Sequence, residues 1–236
     1  MPRVALMIPQ RNATLEPESY QVVPPGTSVH FARLPGSVMS EELLQQLSVE
    51  LESAWDTLVD LRPQVVAFAC TSGSFYGGRA GEERIRKKME DLTQRPFITT
   101  SQAVIMACKA LQLKRLAVVT PYADWVNERL VTFLAEYGLE TVALQGMGLS
   151  AGISDVDSAA VEHLLEAVDR PQAEGIFISC TALPTLASLA AWEQKVQKPV
   201  FSANLATLWL AFGLIKQPLR GIKVALTETK IGGEAD

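Results

Sequence analysis

The sequence predicts an α/β protein of two lobes related by a pseudo-twofold axis, each a four-stranded parallel sheet flanked by helices, with the functional site in the cleft between them. Three observations predict it. Short β-rich apolar runs alternate with helix-length segments, the order of these elements occurs twice, and each copy ends a buried strand in Cys-Thr.

The first four apolar runs are Arg3 to Ile8, Ser28 to Arg33, Val65 to Ala69 and Phe97 to Thr99. The second four are Arg115 to Thr120, Glu140 to Leu144, Gly175 to Ser179 and Pro199 to Phe201. Runs of this length and β-branched content, separated by helix-length segments, specify βα units around a parallel sheet. From Ser40 to Leu61 the apolar residues Leu43, Leu44, Leu47, Leu51, Ala54, Leu58 and Val59 keep a helical period, and Ser40 with Glu41 and Glu42 is a helix start signal. Asp157 to Val168 has the same character. The mixed charges from Glu82 to Glu90 read as the solvated face of a further helix.

The two copies are displaced by roughly 100 to 113 residues, a self-similarity that marks two related units. Arg62 to Thr71 aligns with Gln172 to Thr181; Pro96-Phe97-Ile98-Thr99 echoes Pro199-Val200-Phe201-Ser202; Ile8-Pro9 echoes Thr120-Pro121. The expected organisation is an N-terminal lobe over residues 1–112 and a C-terminal lobe over 113–215. A segment over 216–236 is expected to pack back on the N-terminal lobe. No Pro/Gly/Ser-rich linker separates the lobes, so they are expected to be tightly coupled.

The chain has 236 residues, 48% of them hydrophobic and 20% charged, with a net charge of −5, which gives enough apolar material for a real core and argues against nucleic-acid or membrane-surface binding. The N-terminus lacks the pattern of a signal peptide, and no stretch reaches the ~20 apolar residues that span a bilayer. The expected location is the cytoplasm. There the three cysteines would persist as thiols, each to be justified by packing or by chemistry.

Cys70 and Cys180 occupy equivalent strand ends of the two copies, and ligands of parallel sheets bind outside the carboxyl ends of the strands. Two lobes facing each other would therefore present these thiols from opposite sides of one cleft. After Cys70 come Thr71, Ser72, Gly73, Ser74, Gly77 and Gly78, whose amides and hydroxyls suit a bound carboxylate and a thiolate. After Cys180 come Thr181, Ala182, Leu183 and Pro184. Cys108, within the apolar helical segment Ala103 to Leu111, has no counterpart in the other copy and reads as packing. Asn12, after the first strand, and Tyr122, after the fifth, offer hydrogen-bond donors to the same cleft.

Other chemistries lack their residues. His30 and His163 fall within a strand and an amphipathic helix, away from strand ends, so no base stands beside either thiol for a Cys/His hydrolase. Cysteines 110 positions apart (180 − 70) have no zinc spacing. Gly77, Gly78 and Gly81 trail a polar loop and do not close a strand, which disfavours a dinucleotide site. No metal or organic cofactor is expected.

The run Cys70-Thr71-Ser72-Gly73-Ser74-Phe75-Tyr76-Gly77-Gly78, with Asn12, Tyr122 and Ser179-Cys180-Thr181, resembles the maleate isomerase and arylmalonate decarboxylase branch of the aspartate/glutamate racemase superfamily over nearly the whole chain. The resemblance implies two four-stranded parallel lobes and chemistry without a cofactor. It also implies that Thr71, Ser72 and Tyr122, with amides near them and near Thr181, hold one carboxylate, and that Asn12 helps bind substrate. Arylmalonate decarboxylases resemble this pattern but have glycine in place of the first cysteine, so Cys70 argues against decarboxylation. Maleate isomerases usually carry a second substrate-binding asparagine after the sixth strand; the loop Gly148 to Ser154 has none.

The first expectation is a maleate-type cis-trans isomerisation in which Cys70 adds to the double bond and Cys180 donates the proton. The alternative is a two-base racemase of an α-substituted or amino acid carboxylate. Less favoured are an arylmalonate-type decarboxylase and a carboxylate-binding protein without turnover. The expected partner is a small dicarboxylate or amino acid substrate, and a homo-oligomer is left open.

Overall fold

The computed structural model describes residues 1–35 and 50–231. Two parallel four-stranded sheets form its centre. In the first, β1 (Arg3–Pro9), β2 (Ser28–Leu34), β3 (Val65–Phe68) and β4 (Phe97–Thr99) lie in the order β2-β1-β3-β4. In the second, β5 (Arg115–Thr120), β6 (Glu140–Gly146), β7 (Gly175–Ile178) and β8 (Val200–Ser202) repeat that order as β6-β5-β7-β8. The eight strands fall where the apolar runs placed them, with end shifts of one or two residues. Part of the helix anticipated over Ser40 to Leu61 lies outside the described residues; 50–56 are helical.

Both faces of each sheet are covered, which is why the strands read as continuous apolar runs rather than alternating ones. Val4, Leu6 and Ile8 of β1 join one core that extends into the second lobe, whereas Ala5 and Met7 join a smaller core with Trp55, Val66 and Phe68 on the other face. The lobes meet along α4 (Thr100–Ala110) and α8 (Ala203–Leu214). Both begin with a hydroxyl cap at equivalent positions: Gln102 N–H donates to Thr99 Oγ1 at 3.0 Å, and Leu205 N–H to Ser202 Oγ at 3.2 Å. At the seam the hydroxyls of Thr100 and Thr207 are 3.0 Å apart and buried.

Each lobe sends one helix onto the other. Glu18 of α1 (Leu15–Val22) bonds to residues 185, 186 and 204 of the second lobe. In return α5 (Asp124–Glu136) packs on α2 (Thr71–Phe75) and α3 (Gly78–Thr93) of the first: Phe133 lies 6.2 Å from Phe75 between ring centroids, and Arg79 N–H donates to Glu136 Oε2 at 2.5 Å. Residues 216–231 touch both lobes, since Arg220 N–H donates to Val22 O and Ala225 N–H to Glu193 Oε1 of α7 (Leu189–Val196).

One expectation is corrected. Glu82 does not lie on a solvated face but is 1% exposed. Its carboxylate accepts from Thr99 Oγ1 at 2.7 Å and faces Arg86 at 3.7 Å, so this position of α3 faces inward over the end of β4. Further along α3, Arg84, Lys87 and Lys88 are exposed as expected.

Candidate active site

The two thiols arrive by equivalent routes. Ala69 N–H donates to Met7 O and Ser179 N–H to Val119 O, both at 2.8 Å, so Cys70 and Cys180 each stand one residue beyond the last ladder bond of a central strand. Beyond the sulfurs the two turns diverge. Cys70 has extended φ and ψ and caps α2, its carbonyl accepting from Ser74 N–H at 3.1 Å. Cys180 has φ 89°, a region that costs a non-glycine residue on the order of 1–3 kcal/mol and that clusters at functional sites. Its turn continues without a helix, with Leu183 N–H donating to Cys180 O at 3.3 Å.

Both cysteines line one cavity of about 570 Å³ between the lobes, and Asn12, Thr71, Ser72, Tyr122 and Thr181 line it too. All seven residues singled out in the sequence are therefore brought together. Cys108 is not among them; it is 1% exposed in α4, within the core, and burial pushes its thiol up to about 12. We expect Cys108→Ala to leave turnover unchanged while costing about 1–2 kcal/mol through a small cavity, read as the denaturation midpoint beside the rate of the folded variant.

Burial raises the Cys70 thiol above its ordinary range, against the opposing pull of the Gly73 N–H and the Ser72 hydroxyl. Burial pushes Cys180 up to about 11; the N–H groups of Ala182 and Leu183 and the Tyr122 hydroxyl pull the other way, and proximity to Cys70 adds to the rise. Tyr122 is likewise raised, first by burial and then by the neighbouring Cys180, and its phenol accepts from Ser179 Oγ at 3.4 Å. Burial thus favours the neutral form of both thiols and of the phenol.

Thr71 gives the clearest sign of a ligand. Its residue is 2% exposed, and its hydroxyl oxygen has no hydrogen-bond partner. Buried hydroxyls are almost always satisfied, so an orphan on a cavity wall marks a position for a ligand's polar atom. Asn12 is more heavily committed than the sequence suggested. Its carbonyl accepts from Thr14 and Leu15 N–H at 3.0 Å, and its amide donates to Thr181 Oγ1 at 3.0 Å, leaving one amide hydrogen for the cavity.

Part of the wall was missed. Leu34, Trp125, Val126, Leu149 and Ile153 add apolar surface to the lining, and Arg11 and Asp155 are also on it. Trp125 remains 44% exposed; its ring meets Tyr76 edge-on at 6.4 Å, joining α5 to the other lobe. A tryptophan two residues after the strand-end Tyr122-Ala123 was the available signal. At the rim, Ala13 N–H donates to Ser154 Oγ at 3.3 Å, closing the β1 loop against the loop after β6. No group of three His, Cys, Asp or Glu side chains among the described residues is placed to hold a metal ion. No helix among them is long and apolar enough to cross a membrane.

Two parallel lobes of the same strand order, with a strand-end cysteine from each on one cavity, are what the fold and the site define. The chain belongs to the arylmalonate decarboxylase family, whose model matches residues 4–223. It is 35% identical to an arylmalonate decarboxylase from Bordetella bronchiseptica over 173 residues, 70% of this chain and 71% of the relative. It is 22% identical to a maleate isomerase from Pseudomonas putida over 222 residues, covering 88% of this chain and 89% of the relative. Among solved structures, an arylmalonate decarboxylase superposes with a TM-score of 0.85 at 27% identity, covering 97% of this chain and 100% of that one. A maleate cis-trans isomerase of Nocardia farcinica carrying a succinylcysteine gives 0.89 at 21% identity, covering 96% and 98%. The protein is thus an enzyme whose relatives are isomerases and a decarboxylase, with the two-lobed fold that they share.

Proposed function

We propose that the protein is a cofactor-independent isomerase of a small carboxylate, with Cys70 and Cys180 acting from opposite sides of the bound substrate. The observation that carries this reading is the meeting of both strand-end thiols in one cavity beside the unpartnered Thr71 hydroxyl. Thr71, with the Ser72 and Tyr122 hydroxyls, forms the cradle for one carboxylate, and the amide hydrogen left to Asn12 and the turn at Thr181 complete it.

In the maleate-type reaction, the Cys70 thiolate forms a bond to one alkene carbon as the π bond breaks, and the electron pair moves into the other carboxylate as an enediolate. The cradle stabilises that charge, and Cys180 delivers its proton to the α-carbon. Rotation about the new single bond, return of the proton to the Cys180 thiolate and expulsion of Cys70 give the trans diacid. The succinylcysteine of the Nocardia relative supports such an adduct.

The apolar part of the lining favours a second reading. An α-substituted acid with an apolar substituent would bury it against Leu34, Trp125, Leu149 and Ile153, whereas a second carboxylate would have Arg11 as its partner on the lining. The thiols would then take and return the α-proton from opposite sides. Intact mass spectrometry separates the two. With Cys180→Ser and maleate, the isomerase reading expects a substrate-mass adduct on Cys70; the racemase reading expects none, and, with a chiral α-substituted acid instead, exchange of one enantiomer's α-proton.

The cradle has its own test. Thr71→Val keeps shape and volume but removes a hydroxyl with no partner in the protein, so thermal stability should stay within about 1 kcal/mol. The same change should raise KM or lower kcat by about tenfold or more, as expected for losing a bond to a charged group. Unaltered kinetics would remove Thr71 from the cradle.

A further inference from the structure

The turn that carries Cys180 is bonded to the other lobe at five points, one of them Thr181 Oγ1 donating to Ala69 O at 3.0 Å. Asn12 Nδ2 donates to Thr181 Oγ1 at 3.0 Å, and Thr14 Oγ1 donates to Ala182 O at 2.7 Å. One carboxylate oxygen of Glu18 accepts from Thr185 N–H at 2.6 Å and Leu186 N–H at 2.8 Å. Its other oxygen accepts from Asn204 Nδ2 at 2.5 Å, and the same amide reaches Leu183 O at 3.2 Å. Glu18 is 7% exposed, and the cavity lining does not include it.

The Cys70 turn is built differently: it is helical, the Ser74 and Ser101 hydroxyls of its own lobe bond to Thr71 O, and its contacts with the other lobe include ring packing of Phe75 on Tyr122 and Phe133. The non-helical turn is the one with a cysteine at φ 89°. A non-helical turn with that conformation persists only where its surroundings over-determine it. The N–H groups of Ala182 and Leu183 pull the Cys180 thiol down against burial, so that pull depends on the residues that hold the turn.

We propose that Glu18 is a positioning residue for Cys180: from the opposite lobe it fixes the turn after Cys180 so that the thiol keeps its place and its two N–H donors in the cleft. The inference rests on the assignment of Cys180 as a working thiol. Burying a carboxylate is costly, and burial raises Glu18 above the ordinary carboxylate range, against the bonds from Thr185, Leu186 and Asn204.

The test compares Glu18→Ala with Glu18→Gln, which keeps one acceptor oxygen for Thr185 and Leu186. Turnover is measured beside site-resolved alkylation of Cys70 and Cys180 by iodoacetamide across the alkaline range. In Glu18→Ala kcat should fall about a hundredfold, the order expected for an ångström of misplacement, with KM little changed. The alkylation profile of Cys180 should move to higher pH as its N–H donors leave, while that of Cys70 stays. Glu18→Gln should recover a large part of both, and if the alanine variant does not fold, the glutamine variant should still show the Cys180 shift in smaller measure. A Cys180 profile that is unmoved or lowered in both variants, or that moves only together with Cys70, would overturn the proposal. The alkylation readout does not depend on turnover: if Cys180→Ser were fully active, the catalytic assignment would fail while the positioning effect would still be read on the thiol.

Discussion

Cys70→Ser should abolish turnover, and Cys180→Ser should reduce it by about three orders of magnitude or more. A serine hydroxyl keeps the shape of the thiol but is a far weaker acid, and it neither adds to an alkene nor exchanges a carbon-bound proton at neutral pH without an activating base, which neither site has. Single-turnover and steady-state rates of the two variants check this. The losses should not add in the double variant, because two groups that act in one reaction sequence fail together. A double variant far slower than either single one would mean that each thiol works alone.

Turnover should rise with pH, about tenfold per unit, from neutrality into the alkaline range. Burial sets this direction: it raises Cys70 and places Cys180 at about 11, favouring the neutral form of both, and the single thiolate that the chemistry needs is gained as pH climbs toward those values. Above them both thiols ionise, the proton donor is lost and the rate should fall. A kcat/KM profile recorded with the folded state monitored at each pH reads both limbs. A flat profile through neutrality would mean that substrate binding or another group supplies the thiolate, and that the buried resting thiols are not the ionising species.

The strands and the repeat were legible because each β run is short, apolar and β-branched, and because the two copies share their landmarks: Cys-Thr at 70 and 180, and a capped helix after Phe97-Ile98-Thr99 and Val200-Phe201-Ser202. Strand-end position then sufficed to place both thiols, Asn12 and Tyr122 on one cavity. The features that were not legible depend on contacts between the lobes or between distant elements. Glu82 was read as solvent-facing and Glu18 was not singled out, yet each accepts bonds from donors outside its own helix, which no local period encodes. The exchange of α1 and α5 between lobes is of the same kind. Trp125, Leu149 and Ile153 were missed because apolar residues near loops look like core whether they face the core or a cavity. Asn12 shows the reverse: its side chain was read as a substrate donor, and most of its capacity serves the turn at Thr14 and the bond to Thr181.

The central claim is that two thiols work as a pair on one small carboxylate, and proton NMR of the reduced protein with a panel of diacids and α-substituted acids in deuterated water tests it most directly. The wild-type enzyme should interconvert one cis-trans or enantiomeric pair and introduce solvent deuterium at a single carbon, and each serine variant should lose the interconversion. Conversion that continued at the wild-type rate with serine at both positions, or a product lacking a carboxylate with no isomer formed, would contradict the account.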